Sequence, residues 1–157
     1  MVNLEKALVK DAKELLAIQK KCFENYSVKY GDFDSNPYHM TLHRMEFNLK
    51  YKFGHYYKVI DFKTEKIIGG IFIFELDNPN VMQIAQFYID EEFRHMGIGK
   101  LVFEAVMDKH SDVKTWYVDT ILEEDHNVNF YKQAGFVEIE REVEHEGLSF
   151  VTLIKKR

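Results

Sequence analysis

The sequence predicts an α/β fold: one mixed β-sheet with helices on both faces. Three observations predict it. Apolar residues alternate along some segments, as in strands, and recur every three to four along others, as in helices. The segments follow in the order β-α-α-β-β-β-α-β-α-β-β, so a run of antiparallel strands precedes one β-α-β crossover and a closing hairpin. The 157 residues include only two prolines and show no repeat or Pro/Gly-rich linker, so a single domain over 1–157 is expected.

Each element has a local reason. "VNLEKALV" reads as a short strand. Asp11 can cap a helix through Phe23, with Leu15, Leu16, Ile18 and Cys22 on its apolar side. "ENYSVKYGDFDSNPYHM" is polar, aromatic and irregular, and reads as a loop. It leads into a helix from about Pro37 to Lys50, with proline in the first turn. "HYYKVIDFKTEKIIGGIFIFEL" gives two strands joined at Lys63-Thr64-Glu65. "VMQIAQFYI" is a strand following Pro79. Ile98, Leu101, Val102, Ala105 and Val106 recur at helical spacing. "VKTWYVDTIL" is strand-like, and Asp125 can cap a helix that Gly135 ends. "FVEIEREV" and "LSFVTLI" alternate around Glu146-Gly147 as a hairpin.

Composition excludes several function classes. Hydrophobic residues at 46% and charged residues at 30% are an ordinary globular balance. The net charge of -5 argues against a nucleic-acid partner, which calls for a basic stripe. The single cysteine, Cys22, leaves no internal disulfide and no cysteine metal site. His39 and His43 stand four apart without an evident third ligand, so no metal is expected. No apolar run reaches the roughly 20 residues of a membrane span, and the N-terminus lacks a signal-peptide pattern. A cytoplasmic protein with no membrane partner is expected.

The stretch "EEFRHMGIGKLVFEAVM" places Gly97 and Gly99 where a helix should begin. A helix start leaves up to four N–H groups without intrahelical partners, at the positive end of its dipole. Phosphates sit there readily, and glycine lets them come close. Arg94 and Lys100 add charge. The spacing fits neither a Walker loop, since Leu101 follows Gly99-Lys100, nor a dinucleotide fingerprint, since position 102 is Val102.

The spacing that matches is R-x-x-G-x-G, Arg94 to Gly99. With it, "FYIDEEFRHMGIGKLVFEAVM" resembles the fourth strand, pyrophosphate loop and following helix of the GNAT superfamily of acetyl-CoA-dependent N-acetyltransferases. "NFYKQAGFVEI" resembles that family's last helix and sixth strand, and the element order fits nearly the whole chain.

The resemblance implies a GNAT-like fold: a mostly antiparallel sheet whose fourth and fifth strands run parallel and splay apart around acetyl-CoA. It implies that the amides of Arg94, His95, Met96, Gly97, Ile98, Gly99 and Lys100 take the pyrophosphate. Phe87, Tyr88 and Ile89 would hold the pantetheine arm by their backbone and polarise the thioester carbonyl. Tyr131 matches the tyrosine that protonates the departing thiolate, and Asn127, one turn earlier, is a candidate coenzyme contact.

Two positions depart from the pattern. Glu124 stands where members often carry asparagine, and the fourth strand offers Gln83 and Gln86 where many carry a glutamate base. Glu75, Asp119, Glu123 and His126 remain as candidate bases. The acceptor site would use the loop between the first helices (Tyr26, Tyr30, Asp32, Phe33 and Asp34) and the last hairpin (Glu144, His145 and Glu146). Aromatic faces beside carboxylates suit a cationic amine, of a small molecule or a peptide. Cys22, on the first helix, is expected away from the thioester, which argues against a covalent cysteine route. A non-catalytic acyl-CoA sensor or partner-binding module is the alternative, and a homodimer is open to this fold.

Overall fold

The computed structural model describes residues 2–31 and 36–157. The strands are β1 (Val2–Lys6), β2 (Gly54–Asp61), β3 (Ile67–Leu76), β4 (Asn78–Ile89), β5 (Thr115–Ile121), β6 (Val137–His145) and β7 (Leu148–Lys156). The helices are α1 (Ala12–Tyr30), α2 (Leu42–Lys50), α3 (Ile98–Lys109) and α4 (Asp125–Gln133). The strands form a seven-stranded sheet in the order β1-β2-β3-β4-β5-β7-β6. This is the mixed α/β plan, in the element order expected.

The chain divides into two compact units, Met1–Ile73 with Gln86–Lys109, and Phe74–Ala85 with His110–Arg157. In the first, Leu15, Met45, Val59, Ile71, Ile73 and Val106 have no exposed surface. β1 pairs antiparallel with β2, Val2↔Asp61 to Lys6↔Tyr57. In the second, Trp116, Leu148, Val151 and Leu153 form the buried centre. There β4 pairs parallel with β5 from Val81↔Thr115 to Ile84↔Val118. β7 runs antiparallel to both β5 and β6.

Four local expectations change. α1 runs on to Tyr30 rather than stopping at Phe23, because 24–30 holds neither glycine nor proline. Its end is Gly31, with φ 61 and its N–H on the Ser27 carbonyl. Asp11 stands at the helix start without capping it. Its carboxylate instead accepts from the Leu8 N–H at 2.8 Å and Lys58 Nζ at 3.0 Å. Pro37 opens a separate short 3-10 turn, Pro37–His39, and α2 begins only at Leu42, capped by the Thr41 hydroxyl. Finally, Glu124 rather than Asp125 is the N-cap residue of α4, with no side-chain cap bond.

Candidate active site

The site builds from the end of β4. Ile89 closes the strand, and the Asp90 N–H donates to the Ile68 carbonyl at 2.7 Å. The Asp90 carboxylate accepts from the Glu92 N–H and pairs with Lys21 at 3.2 Å. These bonds fix the point where the chain leaves the sheet. A short 3-10 turn, Glu91–Phe93, follows.

Between that turn and α3 the backbone enters the left-handed region twice, at His95 (φ 63) and Gly97 (φ 76). A Cβ on Gly97 would meet nothing within 4 Å. Backbone conformation, not crowding, therefore calls for glycine here. Gly97 is exposed, and Ile98 is buried and anchors the first turn of α3. The Leu101 N–H donates to the Gly97 carbonyl at 3.2 Å. The N–H groups of Ile98, Gly99 and Lys100 precede that bond and have no acceptor one turn earlier in the helix. The two glycines thus have different places: Gly97 makes the turn, and Gly99 lies inside the first helical turn.

Arg94 does more than add charge. Its Nε donates to the Ile89 carbonyl at 3.0 Å, tying the loop back to the strand. Cys22 Sγ donates to the same oxygen at 3.3 Å. Cys22 therefore lies at the end of β4, not away from it as the sequence suggested. Burial pushes its thiol up, and Arg94 opposes this less strongly. Phe87 and Ile89 are half-buried. Tyr88 faces the core, where its hydroxyl meets that of Tyr56 at 2.7 Å. Burial pushes both phenols well above their usual range.

The second unit carries α4 and the candidate bases. Tyr131 is buried, edge-on to Phe130 at 5.2 Å and Phe136 at 5.5 Å. Burial pushes its phenol well above 10, so it stays protonated at neutral pH. Asn127, one turn earlier, is half-buried and its N–H bonds the Glu124 carbonyl. Asp119 accepts from the Thr152 hydroxyl at 2.5 Å and from Gln83 Nε2 at 3.5 Å. Glu123 accepts from the Ser149 N–H at 2.7 Å, a bond that holds the start of β7. His126 is exposed.

The acceptor residues are rearranged. Tyr26 and Tyr30 belong to α1 rather than a loop, with their rings 6.1 Å apart, and Tyr30 is buried. Asp32, Phe33 and Asp34 lie outside the described residues. Glu144 and Glu146 are exposed at the hairpin, and His145 Nδ1 is 3.0 Å from the Glu146 carbonyl oxygen. His39 and His43 do not share a helix face, because His39 belongs to the 3-10 turn. Among the described residues no cluster of three or more His, Cys, Asp or Glu could hold a metal ion. No helix is long and apolar enough to cross a membrane among those residues.

A pinned turn escaped the sequence reading. Gln19 Nε2 donates to the Pro37 carbonyl at 2.9 Å, and Lys20 Nζ donates to that of Tyr38 at 3.0 Å. Ser27 Oγ and His39 Nε2 are 2.7 Å apart. The only signal was Gln19 itself, a polar residue four after Leu15 on the apolar side of α1.

The sheet order with its parallel β4–β5 pair is that of an acyltransferase fold. The family model for the acetyltransferase (GNAT) domain matches residues 36–157. The chain belongs to this family. No curated protein matches it in sequence. Several solved structures share the fold. The ribosomal-protein-S18-alanine N-acetyltransferase of Escherichia coli aligns with a TM-score of 0.80 at 10% identity, covering 99% of this chain and 94% of its own. A GNAT-family acetyltransferase of Staphylococcus aureus Mu50 aligns at 0.77 and 21% identity, covering 99% of each chain. The spermidine N-acetyltransferase of Vibrio cholerae, solved with CoA and spermine, aligns at 0.78 and 16%, covering 99% and 95%.

Proposed function

We propose that the chain transfers an acetyl group from acetyl-CoA directly to a primary amine of a small molecule or peptide. The observation that carries this is the left-handed turn at Gly97, directly before the first N–H groups of α3, which have no acceptor one turn earlier in the helix. In this reading the amides of 95–100 hold the pyrophosphate, since the Arg94 N–H, expected among them, already donates to the Glu91 carbonyl at 3.2 Å. The backbone of Phe87, Tyr88 and Ile89 holds the pantetheine arm, and an N–H there stabilises the oxyanion.

The amine nitrogen attacks the thioester carbonyl carbon, forming the C–N bond. The C–S bond breaks as the intermediate collapses. The leaving thiolate takes the Tyr131 proton, and the new amide sheds one to a base or water. Tyr131 carries the proton at pH 7, as a donor must, while its burial makes it a weaker acid than a free phenol, so the donation depends on how the thiolate is placed against it. Asp119 is the candidate base held in place by a neighbouring hydroxyl. An alkyl amine with a pKa near 10.4 is neutral in only about one molecule in two thousand at pH 7, so a base or desolvation has to release it.

Neighbouring folds support an amine acceptor. The E. coli enzyme is named for an alanine of ribosomal protein S18, and the V. cholerae enzyme for spermidine. Tyr26 and Tyr30 remain candidate acceptor contacts, reached from α1. The test is thiol release from acetyl-CoA against a panel of polyamines, amino acids and N-terminal peptides. Turnover with one class names the acceptor. Tight acetyl-CoA binding with no turnover on any amine would overturn amine acetylation.

A further inference from the structure

We propose that Tyr56 is a positioning residue for acetyl transfer. Its hydroxyl, bonded to that of Tyr88 across an intervening strand, sets the place of the β4 backbone that holds the thioester. This role rests on the coenzyme placement proposed above, with the pantetheine arm on the backbone of Phe87, Tyr88 and Ile89. Tyr56 acts there only through Tyr88.

The bridge crosses a whole strand. Tyr56 lies on β2 and Tyr88 on β4, with β3 between them in the sheet. Strand spacing puts β2 and β4 about 9.6 Å apart. The two phenols span that gap and bring their oxygens within 2.7 Å. Alternation along β4 sets the direction. Phe87 and Ile89 stay half-buried on one face, and Tyr88 turns to the other, where it is buried.

The phenols meet over Gly70 of β3. A Cβ there would stand 2.6 Å from the Tyr88 hydroxyl oxygen, 2.8 Å from Cζ of the same ring and 3.1 Å from Tyr56 Cε1. Gly70 has no left-handed φ, so backbone conformation does not call for glycine. Glycine weakens the interior of a strand and marks a close approach. What approaches here is the hydroxyl pair. At Gly69 a Cβ would collide with the Tyr88 carbonyl oxygen. Gly70 thus makes room for the Tyr88 side chain, and Gly69 for its backbone.

Tyr56 is itself held. Its ring stacks on that of Phe72 at 5.2 Å, 12° from parallel. Phe23 of α1 meets the Tyr88 ring edge-on at 6.4 Å. Among the described residues neither hydroxyl has a second hydrogen-bond partner. Removing one strands the other in the core, where an unpaired polar group is costly. The Tyr88 side chain then shifts, and the N–H and C=O groups of 87–89 shift with it. Small displacements matter to a thioester carbonyl that must lie against a fixed donor. The pyrophosphate, held at the glycine loop, does not register them. The expected signature is a less polarised thioester at unchanged affinity.

The test is infrared difference spectroscopy of acetyl-CoA, isotope-labelled at the thioester carbonyl and bound to the full chain, beside calorimetric affinity. Four proteins are compared: the unaltered chain, Tyr56→Phe, Tyr88→Phe and Val59→Ala. In the unaltered chain the bound carbonyl band should lie below its frequency in free acetyl-CoA, since a donor draws charge to the oxygen. Tyr56→Phe should move the band back toward the free value. Acetyl-CoA affinity should stay within about threefold, because the charge-assisted contacts to the pyrophosphate remain. Tyr88→Phe removes the same bond and should move the band alike, so it reports the bond even if Tyr56→Phe does not fold. Val59 is buried on the opposite face of β2. Val59→Ala should lower the melting temperature and leave the band in place. A band unmoved in both phenylalanine variants would overturn the positioning role and leave the coenzyme reading standing. A band moved as far by Val59→Ala would assign the effect to general loosening and overturn the role too. No acetyl-CoA binding by the unaltered chain would overturn the coenzyme reading itself, and this role with it.

Discussion

Arg94 and Cys22 share one acceptor. The guanidinium Nε and the thiol both donate to the carbonyl oxygen of Ile89, at 3.0 and 3.3 Å. That oxygen belongs to the last residue of β4, so the glycine loop and α1 are both fastened to the end of the same strand. The loop is thereby set before any ligand arrives.

Arg94 should therefore act on coenzyme affinity in two ways, by its charge and by holding the loop. Arg94→Ala is expected to weaken acetyl-CoA binding about 10–100-fold, the range for losing a charged hydrogen bond. Arg94→Lys keeps the charge but has no Nε fork, so it should recover only part of the loss. Calorimetry on both variants checks this. Full recovery by lysine would show that charge alone matters.

Cys22 should be dispensable for chemistry. A thiol pushed up by burial is a poor nucleophile at neutral pH, and its bond to Ile89 is weak. Cys22→Ala is expected to keep turnover within about threefold of the unaltered chain, since only a weak donor is lost. The measurement is steady-state thiol release with a responsive amine. An acetylated Cys22 trapped without acceptor, seen by mass spectrometry, would contradict this.

Tyr131→Phe should slow acetyl transfer by about 10²–10⁴-fold, the usual range of general acid catalysis. Acetyl-CoA affinity should be little changed, because the buried ring and its two aromatic neighbours remain. Comparing kcat with calorimetric affinity separates the two effects. A parallel fall in both would mark Tyr131 as structural.

The buried phenols also give an alkaline limit to stability. Burial raises the folded-state pKa of Tyr56, Tyr88 and Tyr131 above the unfolded value near 10. Above pH 10 the unfolded chain loses these protons while the folded chain keeps them. Stability present below pH 10 should therefore fall as pH rises beyond it. Melting temperatures across pH 9–11 check the sign. Tyr131→Phe should flatten the decline, since one such group is removed.

Much of the fold was legible because its signals are local. The apolar run along β3, the helical recurrence from Ile98 and the turn at Gly147 each need only neighbouring residues. The loop at 94–100 was legible because glycine spacing reports backbone geometry. What was hidden depends on contacts distant in sequence. The carboxylate of Asp11 went to Lys58, 47 residues away, rather than to its own helix. Cys22 met Ile89 across 67 residues. The extension of α1 to Tyr30 was missed because polar and aromatic residues there lack a strong apolar period, yet nothing in them breaks a helix. The 36–40 turn was hidden because Gln19 shows its partner only after folding.

The most direct test is calorimetric titration of acetyl-CoA into the unaltered chain, Gly97→Val and Gly147→Val. Both glycines have left-handed φ, 76 and 87, and open space for a Cβ. Both substitutions should therefore cost a similar ~1–2 kcal/mol in folding. Binding by the unaltered chain and Gly147→Val, but not by Gly97→Val, is the expected result. It would place the pyrophosphate on the amides of 95–100. Unchanged affinity in Gly97→Val, or no binding by the unaltered chain, would contradict the assignment of this loop.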